Sequence, residues 1–87
     1  MSEFRFQMAP GALGRLMAQV PQLIDKGNEA GVSLAVHAAE GNLAGTFTGK
    51  ISGTFQINSR EAVVVVTAKP FLATDGMIRS KLGALFS

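Results

Sequence analysis

Few residues in this sequence have side chains that could do chemistry. There is one histidine, His37, no cysteine, and six Asp and Glu spread along 87 residues. The absence of cysteine excludes disulfides, thiolate zinc sites and cysteine nucleophiles together. A single imidazole cannot build a multi-histidine metal site. His37 alternates with Leu34 and Val36, which puts it on the opposite, solvent-facing side, with only Glu40 close in sequence. Asp25 and Glu29 stand one helical turn apart, but acid–base work needs two carboxylates converging in a pocket, and solvated surface is the expected reading. Ser52, Ser59 and the threonines have no general base at a recognisable spacing, so nucleophilic catalysis has no support. We assign no catalytic, cofactor-binding or metal-binding residue and expect a protein that is not an enzyme.

A second pattern is made of glycine. Gly41, Gly45, Gly49 and Gly53 recur every fourth residue and share one face of an alternating segment. No strand-to-helix turn follows them, so they do not form a phosphate-cradling loop. Gly41 and Gly49 are expected to serve turns, and Gly45 and Gly53 to be cross-strand neighbours that flatten or bend a sheet under a helix. The alternative is a slot where an acyl chain or a partner backbone approaches.

The elements that must position these residues can be read from periodicity. Residues 3–8 alternate, with Phe4, Phe6 and Met8 on one side and Glu3, Arg5 and Gln7 on the other, as in a half-buried strand. Pro10 suits the first position of a helix. From Ala12 the apolar spacing changes to Leu13, Leu16, Met17, Val20, Leu23 and Ile24, a helical stripe. Pro21 falls inside it and predicts a kinked helix or two abutting ones. Gly27 and Asn28 are the exit signal. Residues 32–39 and 43–58 then alternate, and three reversals keep the apolar side on one face. A turn at Glu40-Gly41 pairs Ala38 with Leu43 and Leu34 with Phe47. A turn at Thr48-Gly49-Lys50 pairs Phe47 with Ile51 and Leu43 with Phe55. A turn at Ser59-Arg60 pairs Ile57 with Ala62 and Phe55 with Val64. The last strand, 62–69, holds Val63-Val64-Val65-Val66, apolar on both faces. Pro70 ends it, and Thr74 caps a final helix whose stripe is Ile78, Leu82, Leu85 and Phe86, with Arg79 and Lys81 outside. Met8, Met17 and Met77 are expected in the core. The result is one α+β domain over 1–87: a two-layer, mainly antiparallel sheet in the order β-α-β-β-β-β-α, with two helices on one face.

Composition narrows the partners. With 47% apolar and 16% charged residues the chain is neither disordered nor strongly solvated. The net charge is +2, with the basic excess in residues 46–87. Clustered Lys and Arg interleaved with stacking aromatics are missing, so nucleic acid is not an expected partner. No apolar run approaches the roughly 18 residues that span a bilayer, and no transmembrane segment is expected. The N-terminal alternation is unlike a signal peptide, so we expect a cytoplasmic protein.

A chain this short buries only about 60–65% of its unfolded surface and gains from a partner. Val63 and Val65 point away from the helices, beside Thr54 and Gln56 and in line with Thr67. This face, Thr54, Gln56, Val63, Val65 and Thr67, is the expected surface for a homodimer or another partner. A ligand carrier is a further possibility, although 87 tightly packed residues leave little internal volume.

The stretch Ile51-Ser52-Gly53-Thr54-Phe55-Gln56-Ile57 resembles the Gly-Thr strand of the polyhydroxyalkanoic acid system family, small bacterial proteins encoded near polyester granule genes. The stretch from Val63 through Pro70-Phe71-Leu72 into Met77-Ile78-Arg79-Ser80-Lys81-Leu82 is similar to that family as well, and the order of elements matches along nearly the whole chain. The resemblance implies a non-catalytic association protein that contacts a storage granule, a lipid-like surface or a granule protein. It carries no functional residues onto this sequence, whose first helix is poorer in charge than the family pattern and contains Pro21. The alternatives are a small structural or regulatory homodimer that binds another protein, or a small acyl-ligand carrier.

Overall fold

The computed structural model describes residues 2–86. The side chains of Leu85 and Phe86, expected on the last apolar stripe, lie outside the described residues. N-terminal alternation forms strand β1 (Ser2–Gln7), with Phe4 buried and Glu3, Arg5 and Gln7 exposed. Gly11 then adopts a left-handed conformation, φ 78°, which delays helix α1 (Ala12–Glu29) by two residues from the expected start at Pro10. The helix runs unbroken through Pro21, so a split into two helices does not occur. Pro21 is exposed, while Leu16 is buried and Val20 and Leu23 are half-buried, so packing of the stripe holds together a helix that proline weakens.

The exit of α1 also differs from expectation. Gly27 lies inside the helix, and the residue that leaves it is Gly31, at φ 84°. The Ala30 N–H donates to the carbonyls of Lys26 and Gly27, and the Gly31 N–H to that of Asn28. Gly27 serves packing instead. A Cβ there would come 2.8 Å from the Val32 carbonyl oxygen and 3.4 Å from Leu34. The absent side chain lets the helix approach the strand that follows.

Four strands form the meander: β2 (Val32–Ala39), β3 (Asn42–Gly49), β4 (Ser52–Asn58) and β5 (Glu61–Ala68). The sheet order is β1-β5-β4-β3-β2, with every neighbouring pair antiparallel. The β2–β3 pairs Leu34↔Phe47 and Ala38↔Leu43, and the β4–β5 pairs Phe55↔Val64 and Ile57↔Ala62, are those read from the sequence. The β3–β4 register is displaced by two residues: Phe47 faces Gly53, Gly45 faces Phe55 and Leu43 faces Ile57. A shift of two keeps every side chain on its predicted face. It arises because the reversal lies one residue later than predicted. Gly49 takes φ 132°, its N–H donates to Ser52 Oγ, and the Lys50 N–H is drawn to the Gly31 carbonyl oxygen. Asn58 Oδ1 accepts from the N–H groups of Arg60 and Glu61, both at 2.8 Å, and sets the last hairpin.

Helix α2 (Asp75–Phe86) begins where Thr74 Oγ1 accepts from the Met77 N–H at 3.2 Å, the expected cap. Ser2 Oγ donates to Asp75 at the start of α2, and Gly83 lies beside Phe6, so α2 runs along β1. Both helices cover the same sheet face. Phe4, Leu43, Ile57, Ala62, Val64 and Val66 from the sheet join Met8, Ala12, Leu16 and Ile78 in the core. Met77 departs from expectation, being 55% exposed on the outward side of α2.

Gly45 and Gly53 are therefore not partners of one another; each lies under a phenyl ring from the neighbouring strand. A Cβ on Gly45 would sit 2.9 Å from Phe55 Cζ, and one on Gly53 would sit 2.7 Å from Phe47 Cζ. Each would also collide with a backbone carbonyl, that of Ala35 or Val65 respectively. Gly45→Ala or Gly53→Ala should accordingly lower unfolding free energy by about 1–3 kcal/mol through overpacking. Gly14→Ala, in α1 with open space around it, should raise stability by up to about 1 kcal/mol. Chemical denaturation followed by circular dichroism measures both, and a neutral Gly53→Ala would refute the ring-on-glycine packing.

Candidate functional site: an apolar cleft and a projecting turn

The two helices do not seal the sheet they cover. On the β1–β5 side the inward side chains Phe4, Ala62, Val64 and Val66 are all at most 3% exposed. Across β2, β3 and β4, Leu43 and Ile57 are buried, but the inward Leu34, Val36, Phe47 and Phe55, with Ile51 in the β3–β4 turn, are only half-buried. Between this floor and the helices lies an open cleft of about 510 Å³. Its walls are Leu16, Val20 and Leu23 from α1 and Ile78 and Leu82 from α2. A volume of this size belongs to the ~300–1,000 Å³ range of small-molecule sites. The sequence-based expectation of little internal volume is thus corrected: the space lies between the layers.

Among the described residues, two lining side chains alone end in a polar group, Lys26 of α1 and Lys81 of α2. Each stands three residues after an apolar wall residue, Leu23 and Ile78 respectively, and so borders the stripe of its own helix. Lys81 is exposed, as expected from its charge, and still borders the cleft. A long aliphatic stem lets such a residue line apolar space while its ammonium group stays at the solvent edge. Arg79, also expected outside, lays its guanidinium 5.0 Å from the centre of the Phe4 ring and 5.7 Å from that of Phe6.

A second feature lies on the β5–α2 connection. The Ala73 N–H donates to the Pro70 carbonyl at 3.0 Å, closing a tight turn with Phe71 and Leu72 at its two corners. Turn corners ordinarily carry Gly, Asn, Asp or Ser. Here they carry large apolar side chains that are 98% and 82% exposed. Sequence periodicity missed them, since they belong to neither a strand nor a helical stripe. The signal available was their place between Pro70 and Thr74.

The outer face gathers the five residues proposed for partner contact. Thr54 pairs with Val65 and Gln56 with Val63, and Thr67 Oγ1 donates to the Ser52 carbonyl at 3.2 Å. Val63 and Val65 are half-buried, and Thr54, Gln56 and Thr67 are exposed. Strand β1, whose place in the sheet the sequence left open, sets Arg5 beside Val63 and Glu3 beside Val65. Arg5 bonds Glu61 at 2.7 Å and Glu3 at 3.4 Å. The Glu61 hydrogen bond, with the Glu3 charge next, holds the Arg5 guanidinium protonated beyond its ordinary range. The face is therefore more ionic than its valines suggest.

His37, Asp25, Glu29 and Glu40 are all exposed. Among the described residues no three His, Cys, Asp or Glu converge on a possible metal position, and no helix is long and apolar enough to cross a membrane. Fold and cleft define a small two-layer α+β protein with an open apolar groove. No protein-family model, curated protein or solved structure matches the chain.

The base of the turn is fixed by Asp75, which Lys69 Nζ and Ser2 Oγ both contact. The Lys69 hydrogen bond first, and that of Ser2 second, hold the carboxyl below its ordinary value of 3.8. A depressed carboxyl contributes stability that is complete above its unfolded value and is lost as pH falls through the folded one. Asp75 should therefore help anchor α2 at neutral pH and stop doing so in acid below 3.8. Thermal unfolding across this range should show Asp75→Asn less stable than the parent near neutrality and converging with it in acid. An unchanged gap would show that the anchoring does not involve the ionised carboxylate.

Proposed function

We propose that this protein is a non-catalytic association protein that adheres to an apolar, lipid-like surface such as that of a polyester storage granule. The observation that carries this reading is the Phe71–Leu72 turn, whose two large side chains stand almost wholly in water at the corners of a turn. Lodging such side chains in an apolar phase recovers about 1.5–3 kcal/mol each when burial is complete. The fixed base of the turn adds to the argument, since Asp75 ties it to Lys69 and Ser2 and little ordering remains to be done on contact. The basic excess of residues 46–87 favours an anionic coat on that surface. The resemblance of the 51–57 and 63–82 segments to the polyhydroxyalkanoic acid system family supports the choice of a granule.

A tagged copy in polyester-accumulating cells should sediment with the granules. Phe71→Ser/Leu72→Ser should move it to the soluble fraction, lowering partition at least about tenfold, with an unchanged melting temperature because neither side chain is in the core. A parent protein found wholly in the soluble fraction, or a variant that stays bound, would overturn the reading.

A further inference from the structure

The cleft between the helices has its own chemistry, separate from the turn, since neither Phe71 nor Leu72 lines it. Among the described residues its floor and walls offer no hydroxyl, amide or carboxylate side chain, and Lys26 and Lys81 alone supply polar ends. A ligand with polar groups along its length would leave them unpaired there, at an energetic cost. Lys26 and Lys81 add exposed positive charge at its border. The composition fits a ligand that is apolar along its body and anionic at one end. Volume agrees, for about 510 Å³ exceeds what one medium-length aliphatic chain needs. The cleft is also open to solvent at the half-buried Phe47 and Phe55, so a chain can reach it without unfolding the protein.

We infer that the cleft is a binding site for one unbranched acyl chain ending in a carboxylate, with the chain on the sheet floor and the carboxylate at one of the bordering lysines. This goes beyond adhesion through the turn and does not depend on it. The floor is suited to a flexible chain. Phe55 lies over Gly45 and Phe47 over Gly53, so the two rings lie low against the sheet and leave the space above them free. The lysines contribute as point charges at the solvent edge, adding modestly to affinity while fixing which end of the chain faces water.

Titration calorimetry and native mass spectrometry with octanoate, decanoate and decanol, each kept below its micelle concentration, test this. The expected result is saturable one-to-one binding, tightening about tenfold from octanoate to decanoate, as burial of two further methylenes requires. Lys26→Gln/Lys81→Gln should weaken decanoate about fivefold and leave decanol unchanged. Both lysines are exposed, so the variant should fold, which circular dichroism verifies. Phe71→Ser/Leu72→Ser should bind decanoate like the parent, so that failure of the cleft and failure of the turn are told apart. No one-to-one binding would overturn the inference. So would an affinity that ignores chain length, an equal loss for decanol in the lysine variant, or a cleft closed by a second copy, seen as twice the monomer mass and no decanoate bound.

Discussion

An 18-residue helix, about 27 Å long, has to join the two margins of this sheet. Four successive antiparallel pairings link β1 to β2 through three intervening strands, so the two edge strands point the same way. The chain leaving the end of β1 must therefore cross the whole sheet, and reverse its whole length, to begin β2. Five strands at a spacing of about 4.8 Å make a width of about 19 Å, and eight residues make a strand about 26 Å long. One helix can meet both requirements only on the diagonal, and a diagonal rod covers a band and leaves two corners bare. Helix α2, held at Asp75 and lying along β1, fills one of them. The cleft is the remainder.

That geometry explains the gradient of burial. Phe4 and Val64 pack under helix and are nearly inaccessible, while Phe47 and Phe55, equally apolar and facing the same way, are half-buried. The accessible surface, 5635 Å² for 9.1 kDa, exceeds the roughly 4,900 Å² of a folded monomer of this mass. The excess accords with an unsealed core and a projecting turn. Glycine limits how much further the layers could close. At Gly27 the missing side chain brings α1 against Val32, whereas at Gly45 and Gly53 the space goes to phenyl rings from across the ladder.

Much of this could be read in the sequence because a strand's two faces are fixed by parity alone. Leu43, Phe47, Phe55 and Ile57 face the helices whether the β3–β4 reversal is centred at Gly49 or at Lys50, so the two-residue error in register cost nothing in architecture. The place of β1 was not legible. Alternation in Phe4 and Phe6 specifies a strand but names no neighbour, and pairing with β5 is settled by tertiary packing. For the same reason the outer face looked more apolar than it is, since the Arg5–Glu61 and Arg5–Glu3 pairs exist only once β1 lies beside β5. The helix exit was misread because Gly27 carries the same letter as Gly31, and only the backbone tells a packing glycine from one at positive φ. Of the candidate sites, the lysines of the cleft were hidden by a rule that sends charge outward, although each sits beside an apolar stripe. The turn was hidden by its lack of period.

An incompletely covered apolar floor is a liability for so small a protein, because every half-buried phenyl or leucine forgoes part of its burial free energy and invites association. Val36 and Ile51 pack against the sealed core formed by Phe4, Ile57, Val64 and Val66 without being closed off themselves. The apolar lining spreads over four strands and two helices, and among the described residues Lys26 and Lys81 are its polar side chains. The proposed binding of a flexible chain fits such a lining. Affinity for such a chain grows with unbroken apolar contact, and a single polar side chain on the floor would need a partner that the chain cannot supply. The same logic separates the two features chemically. A surface needs only a few projecting apolar side chains on a rigid base, as at Phe71 and Leu72, whereas one extended molecule needs a walled groove and a charge at its mouth.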